Sequence, residues 1–253
     1  MSSYQPEPYW SEVARRIEDR GAGNVIAGDD EPYYRYKRRR FLEMLRSAPM
    51  GGRDVLEVGH GPGGNLMEVL KLGPRSLTGV DISQDMIDLA RKQVPAKVKL
   101  IKIDGTRLPF EDGQFEVVFT ATVLQHNTDE EMLRAIVGEI CRVASKQVVL
   151  FERVESEIKG DELCLGRPVA YYASLVRPYG FELENTRFVN VRVSYFMAGA
   201  IRKLLNPKSR VEGEPLSPLS VFLQRLMLPV TSLLDPIFPS RTDVCRMTFI
   251  RSK

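Results

Sequence analysis

Residues 55–65 read Val-Leu-Glu-Val-Gly-His-Gly-Pro-Gly-Gly-Asn, and this stretch decides the fold. Its apolar start predicts a short buried strand, the glycines predict a sharp turn, and the turn opens a helix. Gly59, Gly61 and Gly63 or Gly64 let the backbone turn and let a ligand approach where a Cβ atom would clash. The spacing of Gly59, Gly61 and Gly64 also fits the dinucleotide-binding pattern, which alone is weak evidence for any one ligand.

Glu57, two residues before the first glycine, narrows the choice of ligand. A carboxylate at this place repels a pyrophosphate, but it attracts a ligand that carries an ammonium and a sulfonium group. The sequence therefore favours S-adenosylmethionine over NAD at the glycine turn.

Asp81 is the second acidic residue that indicates an adenosine ligand. It ends a predicted second strand within residues 76–83 and follows Gly59 by 22 positions. A carboxylate at this strand end can accept hydrogen bonds from both ribose hydroxyls, as it does in NAD sites. Asp81 supports an adenosine-bearing ligand without choosing between the two candidates.

A third strand is predicted from Val98, and its end carries Asp104 and Gly105. A carboxylate there can accept a hydrogen bond from an adenine amino group. Leu108 or Phe110 would then close the apolar side of the adenine site.

The fourth predicted strand, residues 115–120, runs into Ala-Thr-Val-Leu-Gln-His. With its motifs in this order, the chain resembles the class I S-adenosylmethionine-dependent methyltransferases that act on small molecules. The motifs LEVGxGxG, VDxS, DGxxLPF and LQH stand at residues 56–63, 80–83, 104–110 and 124–126. The resemblance covers about residues 53–152. One departure is a turn before the fifth strand, where Ala144–Gln147 replaces the family's frequent Pro-Gly-Gly.

The resemblance assigns a set of positions to the cofactor S-adenosylmethionine. It implies that Glu57, Gly59, Gly61 and Gly63 surround the methionine end, that Asp81 and Ile82 hold the ribose and adenine, and that Asp104 and Gly105 face the adenine edge. We also expect His60, Thr120 and Gln125 to contact the cofactor.

His126 is the candidate catalytic residue, because a histidine just past the fourth strand can deprotonate an acceptor hydroxyl or amine near neutral pH. The alternative is that Gln125 and His126 pack against the cofactor or fix the loop. Two interpretations also exist for three tyrosines. They either line the methyl-transfer site or pack in a helical core: Tyr33, Tyr34 and Tyr36.

The composition is that of a globular enzyme. The chain has 253 residues, 43% of them hydrophobic and 27% charged, so we expect a single domain that buries a sizeable core. A formal charge of +3 does not indicate nucleic acid as a partner. Three distant cysteines predict neither a disulfide framework nor a metal site. The first residues show no secretory signal, so a cytoplasmic location is the default expectation.

Alternating strands and helices predict a Rossmann-like, doubly wound α/β sheet. The family resemblance implies seven strands, mostly parallel, with an antiparallel last strand placed between the fifth and the sixth. We expect the fifth strand at residues 147–152, the sixth at 181–193, and the last at 243–251. A capping box at Thr128–Glu131 predicts a helix before the fifth strand, and residues 167–178 predict another before the sixth.

Outside the cofactor-binding half (residues 51–152), the chain has an N-terminal helical cap (1–50) and an acceptor-side half (153–253). The cap is predicted to hold helices over 8–20 and 31–47, with the glycine-rich residues 21–28 as a hinge or lid. We expect acceptor choice to depend on these helices, on residues 153–170 and on a helical insertion over about 194–240.

Two further segments allow more than one interpretation. The run Arg35–Arg40 is either a solvated helix face, which charge runs usually are, or a phosphate-recognition surface. Residues 216–238 are apolar but interrupted by polar residues and prolines, so they should not span a bilayer. Four roles are open for this segment: packing over the sheet edge, lining an apolar acceptor pocket, forming a dimer contact, or making a peripheral membrane or lipid contact. The oligomeric state stays open.

Missing motifs restrict the reaction that we expect. No Asn/Asp-Pro-Pro-aromatic turn follows the fourth strand, and no cysteine follows a proline, so base methylation of nucleic acid is not expected. Thr120 stands where related catechol enzymes have an acidic metal ligand. The prediction is metal-free methyl transfer to an oxygen or nitrogen of a small, possibly glycosylated, lipid-linked or phosphorylated acceptor. A nucleic-acid methyltransferase, an NAD-linked oxidoreductase and a non-catalytic S-adenosylmethionine-binding module remain alternatives.

Overall fold

The computed structural model describes residues 5–19, 31–207 and 216–252. The predicted hinge or lid at residues 21–28, the end of the first predicted helix at Arg20 and residues 208–215 of the predicted insertion lie outside the described residues.

The core is a seven-stranded sheet in the order β3-β2-β1-β4-β5-β9-β8. The nine strands of the described residues, including a separate two-stranded hairpin of β6 and β7, are β1 (Asp54–Val58), β2 (Ser76–Asp81), β3 (Lys99–Lys102), β4 (Phe115–Ala121), β5 (Ala144–Val154), β6 (Lys159–Gly160), β7 (Leu165–Gly166), β8 (Phe181–Phe188) and β9 (Asp243–Arg251). The pairs formed by β1 to β5 are parallel, and β9 pairs antiparallel with both β5 and β8. The predicted fold class and the place of the last strand are confirmed.

Helices cover both faces of this sheet, which explains why its central strands are apolar almost throughout. The α-helices of the described residues are α1 (Pro6–Asp19), α2 (Pro32–Arg46), α3 (Gly64–Leu70), α4 (Gln84–Arg91), α5 (Glu130–Val143), α6 (Val169–Val176), α7 (Arg192–Leu205) and α8 (Pro218–Leu234). In β1, Leu56 and Val58 pack in one apolar cluster with α5 and α6, whereas Val55 packs in the other with α2, α3 and α4. The alternation along one strand therefore supplies both layers of the core.

Two local predictions are wrong. The sixth strand ends at Phe188 rather than Val193, because its partner β9 begins at Asp243 and leaves little to pair with beyond Val189. The helix before β5 is capped by Asp129 rather than Thr128. The Asp129 carboxylate accepts hydrogen bonds from the backbone N–H groups of residues 131 and 132 at 2.9 Å each, while the Thr128 hydroxyl donates to the carbonyl of Glu162.

The segments outside the sheet pack against its helices. α1 lies on α4, where Ser11 and Ser83 share a hydrogen bond of 3.0 Å. α7 and α8 pack on each other and on α2, to which the Tyr36 hydroxyl fixes them by donating to Asp235 at 2.9 Å. No helix among the described residues is long and apolar enough to cross a bilayer.

Candidate functional site

A cavity of about 600 Å³ opens at the carboxyl ends of β1, β2 and β4. Ligands of open α/β sheets bind outside these strand ends, and the volume is in the usual range for a small-molecule site. The predicted site residues that line it are Gly59, His60, Gly61, Asp81, Ile82, Gly105 and His126. The helices α1 and α2 close the cavity through Pro6 and Trp10 and through a row of arginines.

The glycine turn after β1 forms the floor of the cavity. Gly59 has φ +75°, and a Cβ atom there would lie 2.4 Å from Cγ2 of Val123, so both the conformation and the space require glycine. Gly63 has a different role from the one predicted. A Cβ atom on Gly63 would lie 2.6 Å from Val94, so this glycine lets α3 pack closely on the α4 region, and Gly64 lines the cavity instead.

Glu57 lies under this turn and is fully buried. Its Oε1 accepts a hydrogen bond from Asn65 Nδ2 at 3.0 Å, but its Oε2 has no partner among the described residues. Burial raises the pKa of Glu57 to about 8, and the charge of Arg38 acts in the opposite direction. Asn65, which lines the cavity, also keeps a buried and unpartnered acceptor in its Oδ1. Glu57 does not itself line the cavity, but it lies behind Asn65, which does; two free acceptors at this place suit a ligand that donates hydrogen bonds and carries positive charge.

Asp81 holds the turn together and faces the cavity. Its Oδ2 accepts from the N–H of Gly61 at 2.8 Å, and its Oδ1 accepts from the N–H of Ser83 at 2.9 Å. Each carboxylate oxygen retains a second lone pair, so this anchored group can still accept two ribose hydroxyls. Ile82 contributes an apolar side chain beside it.

Asp104 does not face the cavity. Its exposed carboxylate accepts from the N–H of Thr106 at 2.8 Å, from the Thr106 hydroxyl at 3.0 Å and from the N–H of Arg107 at 2.9 Å. These hydrogen bonds, the one from Thr106 N–H first, lower the pKa of Asp104. The neighbouring Ile103 and Gly105 line the cavity, so only the backbone of this turn is placed at the predicted adenine edge.

Thr120 and Gln125 lie outside the cavity lining, and both are bound to Glu152 at the end of the apolar run of β5. The Thr120 hydroxyl donates to Glu152 Oε1 at 2.7 Å, and the Gln125 N–H donates to Oε2 at 3.1 Å. The N–H of Val123 donates to Oε1 at 3.2 Å. Burial raises the pKa of Glu152, and these hydrogen bonds oppose the shift. Glu152, which the sequence analysis did not single out, thus fixes the loop after β4.

Among the described residues that line the cavity, this loop carries the one non-glycine residue with a positive φ angle. Thr122 has φ +58°, a conformation that β-branched residues rarely adopt, and it lines the cavity. Its hydroxyl donates to the carbonyl of Ala121 at 2.7 Å. The hydrogen bonds that Glu152 receives on either side of Thr122 offset the strain.

His126 lines the cavity, and both of its ring nitrogens are occupied. Nδ1 lies 2.8 Å from the carbonyl of Leu163, which can only accept, so Nδ1 carries the proton. Nε2 then accepts from the amide of Gln125 at 3.3 Å, while the Gln125 oxygen accepts from the N–H of Arg153. Burial lowers the pKa of His126, so the ring is neutral, and its edge contacts Trp10. The geometry favours loop fixing over general-base catalysis.

The basic run on α2 is divided between two faces of the helix. Arg35, Arg38, Arg39 and Arg46 line the cavity together with Leu42, and this spacing places them on one helical face. Lys37 instead pairs with Asp243 at 2.7 Å, and Arg40 pairs with Glu43 at 2.6 Å. Arg35 and Arg39 are exposed, so they are open both to solvent and to a ligand in the cavity.

The three tyrosines of α2 lie on its other side and line no part of this cavity. Tyr33 and Tyr36 are buried, and the Tyr34 hydroxyl accepts from Arg202 at 3.3 Å. They pack between α2 and the helices of the insertion, which confirms the interpretation as core residues.

Of the three segments that we expect to govern acceptor choice, only the N-terminal helices line the cavity in the part of the chain that the structure describes. Among the described residues, neither the loop 153–170 nor the insertion contributes to the cavity lining, whereas the N-terminal helices do. The insertion packs on the far side of α2, so it supports the wall without forming it. Within residues 5–19, 31–207 and 216–252, no three His, Cys, Asp or Glu side chains are grouped so that they could hold a metal ion.

Comparison with known proteins agrees with this geometry. Residues 55–147 match the family model described as a methyltransferase domain. This part of the chain is therefore similar to methyltransferase domains. The chain is similar to the O-methyltransferase cnsE of Penicillium expansum, with 26% identity over 140 residues, 53% of this chain and 49% of that protein. It is also similar to phosphoethanolamine N-methyltransferase 2 of Caenorhabditis elegans, with 24% identity over 179 residues, 69% of this chain and 41% of that protein. The matched stretch thus spans less than half the length of either curated relative.

Solved structures share the fold of the matched residues and of the segments around them. The [4+2]-cyclase SpnF superposes with a TM-score of 0.65 at 18% identity and covers 97% of this chain and 95% of its own. Magnesium protoporphyrin IX methyltransferase from Synechocystis, with bound S-adenosylhomocysteine, gives a TM-score of 0.62 at 14% identity, covering 97% of this chain and 98% of its own. The bound S-adenosylhomocysteine belongs to that neighbour; in this chain, the unpartnered acceptors of Glu57 and Asn65 are of the kind that an ammonium group would satisfy.

Proposed function

We propose that the chain transfers the methyl group of S-adenosylmethionine to an oxygen or nitrogen of a small acceptor that carries an anionic group, without a metal ion. The observation that carries this proposal is the row of arginines on α2, which lines the same cavity as the glycine turn. A donor site and an anion-binding wall in one cavity of about 600 Å³ favour a small, negatively charged acceptor.

At the donor end, Glu57 and Asn65 would hold the cofactor's ammonium group, and Asp81 would hold its ribose hydroxyls. We assign the cofactor's carboxylate to Arg38, because this arginine lines the cavity and its charge acts on Glu57. Zwitterionic recognition of this kind pairs each charge of the methionine end with an opposite charge in the protein.

At the acceptor end, Arg35 and Arg39 are exposed in the cavity wall and stand one helical turn apart. Arg39 lies over the ring of Tyr36, with its guanidinium carbon 5.4 Å from the ring centroid, so its direction is fixed. Neither arginine forms a salt bridge within the described residues, whereas the cavity residue Arg46 is paired with Glu68 at 2.6 Å. Two guanidinium groups in this arrangement suit a phosphate or a carboxylate.

The name of one relative agrees with this choice, since the acceptor named for the protein from C. elegans contains a phosphate group. Of the glycosylated, lipid-linked and phosphorylated acceptors expected from the sequence, the arginine row therefore favours the phosphorylated class.

The proposed reaction is an in-line displacement. The acceptor's lone pair forms the new bond to the methyl carbon, the carbon–sulfur bond breaks, and S-adenosylhomocysteine leaves. The proton that the acceptor loses goes to water, because the Nε2 lone pair of His126 is engaged by Gln125. The protein's main contribution is the alignment of the two reactants, which accounts for much of the rate in such reactions.

The test is turnover to S-adenosylhomocysteine with matched pairs of acceptors, each offered as the free alcohol or amine and as its phosphorylated form. We expect turnover of phosphorylated members and a KM raised about 10- to 100-fold by Arg35→Gln or Arg39→Gln, the loss expected for one charged hydrogen bond. Arg40→Gln is the matched control, because Arg40 is on the same helix but pairs with Glu43. A preference for neutral acceptors, or an equal effect of the control, would sink the proposal.

A further inference from the structure

The helix α8 buries a polar side and exposes an apolar side, which is the reverse of the usual arrangement. Its fully buried side chains are all polar: Ser220, Gln224 and Thr231. They are joined by Asp235 at the helix end and by Ser194 of α7, and none of the five is more than 3% exposed. A surface helix of a globular protein normally turns its apolar face inward. The hairpin of α7 and α8 thus has a polar interior.

Most of this polar interior is satisfied, and Gln224 Oε1 is the one side-chain atom of these five residues that has no partner among the described residues. Asp235 Oδ1 accepts from the N–H groups of Val193 and Ser194 at 2.7 and 3.1 Å, and its Oδ2 accepts from the hydroxyls of Ser194 and Tyr36 at 2.7 and 2.9 Å. The hydroxyls of Ser194 and Thr231 lie 2.9 Å apart. Because these groups pair with one another, they fix the rotation of α8 about its axis and thereby determine which side chains face outward.

The outer face of α8 is apolar and open to solvent. Leu219, Phe222, Leu226, Val230 and Leu233 follow one another at intervals of three and four residues, and their exposed fractions lie between 54% and 75%. The stripe continues through Ile237 and Phe238, and α7 adds Phe196 and Leu204. Isolated exposed apolar residues are ordinary, but an ordered stripe of this length indicates an apolar partner.

The charges around this stripe decide which partner it fits. Arg192, Lys203, Arg225 and Arg241 are exposed, whereas Asp235 is the one carboxylate in the described residues 192–207 and 216–242 and it is buried. A second copy of the chain docked face to face would bring these cations together and be repelled. The surface instead matches a bilayer with anionic headgroups, which attracts basic groups and takes up apolar side chains.

We propose that the α7–α8 hairpin lies on an anionic membrane surface, with the stripe from Leu219 to Phe238 inserted at the headgroup boundary. No helix of the described residues is suited to span the bilayer, so the contact is peripheral. The inference is independent of the methyl-transfer proposal, because it uses no residue of the cavity.

The experiment is flotation of the full chain with vesicles of phosphatidylcholine alone and of phosphatidylcholine mixed with an equal amount of phosphatidylglycerol. We expect binding to the anionic vesicles and a decrease with added salt. The double variant Phe222→Ser, Leu226→Ser should abolish binding, and Arg225→Glu should weaken it at least about fivefold, the effect of one basic charge near the surface.

The matched control is Ile158→Ser, which removes an exposed apolar side chain next to the β6–β7 hairpin and should leave binding unchanged. Thermal unfolding of each variant, followed by circular dichroism, verifies that the chain is folded. The proposal is overturned if neither vesicle binds, or if the double variant floats as the parent does. It is overturned equally if light scattering shows a dimer that the double variant dissociates while no vesicle is bound.

Discussion

Asn65 donates one hydrogen bond to Glu57 and leaves the second carboxylate oxygen of Glu57 buried without a partner. An unpaired buried carboxyl group lowers the stability of the folded state, and such a cost is typical of binding sites. The pair is therefore suited to bind a positively charged group, such as the ammonium group of S-adenosylmethionine. A substitution at Glu57 tests this directly.

Glu57→Gln should stabilise the empty protein at high pH and weaken cofactor binding. Burial raises the pKa of Glu57 to about 8, so the folded protein keeps a proton that the unfolded chain has already lost. The free energy of unfolding therefore falls as the pH rises from the ordinary glutamate range to about 8 and is level above it. The neutral variant lacks this decline.

Denaturant unfolding below and above pH 8, together with calorimetric titration with S-adenosylhomocysteine, checks both parts. We expect affinity to fall about 10- to 100-fold in Glu57→Gln, as for the loss of a charged hydrogen bond. Glu182→Gln, exposed on β8, is the control. Unchanged affinity in Glu57→Gln would mean that the carboxylate does not meet the ammonium group.

Asp81→Asn and Asp104→Asn should differ sharply in cofactor binding. The Asp81 carboxylate accepts from two backbone N–H groups in the cavity wall, and an amide nitrogen would oppose one of them. We expect affinity for S-adenosylhomocysteine to fall about 10- to 100-fold in Asp81→Asn. Asp104→Asn should change it less than about threefold, because this carboxylate bonds only within its own turn among the described residues. Equal losses would contradict the placement of Asp104.

Glu152→Gln should destabilise the protein by about 1–3 kcal/mol, because its amide nitrogen would face N–H and O–H donors and leave one unpaired. Thermal melting measures the effect, with an expected fall of about 2–10 °C for a chain of this size. Glu155→Gln, which only removes a partly exposed pair with Arg153, serves as the comparison and should shift the midpoint less.

His126→Asn should lower kcat less than about tenfold with any acceptor that the turnover assay identifies. A general base contributes about 10²- to 10⁴-fold, but the His126 lone pair is engaged by Gln125. The measurement is kcat as a function of pH in the parent and the variant. A loss above a hundredfold, with disappearance of the acidic limb of the profile, would identify His126 as the base.

The sheet and the donor end of the site could be predicted because their signals are local. Apolar runs of strand length mark β1, β4 and β5, and a glycine turn with Asp81 one strand later marks the nucleotide end. The end of β8 could not be predicted from its own residues, because it depends on where the partner strand β9 begins.

Side-chain direction was the part that the sequence left open. Asp104 could reach the cavity or its own turn, and only the backbone around Gly105, with φ +90°, decides for the turn. Glu152 accepts several hydrogen bonds from the loop after Thr120 because β4 and β5 are neighbouring strands. This pairing, which the sequence does not show, places the Glu152 carboxylate beside that loop. The basic run on α2 is divided between two faces of the helix, and only the packing of the helix shows which of them lines the cavity.

The two faces of α2 have different roles: one contacts the α7–α8 hairpin, and the other lines the cavity. Tyr36, bound to Asp235, locks the rotation of the helix, and Arg35 and Arg39 project from the side that remains. On the proposed function, a substitution at position 35 would change acceptor recognition and leave the contact of α2 with the hairpin in place, whereas one at position 39 would also remove the contact of Arg39 with the Tyr36 ring.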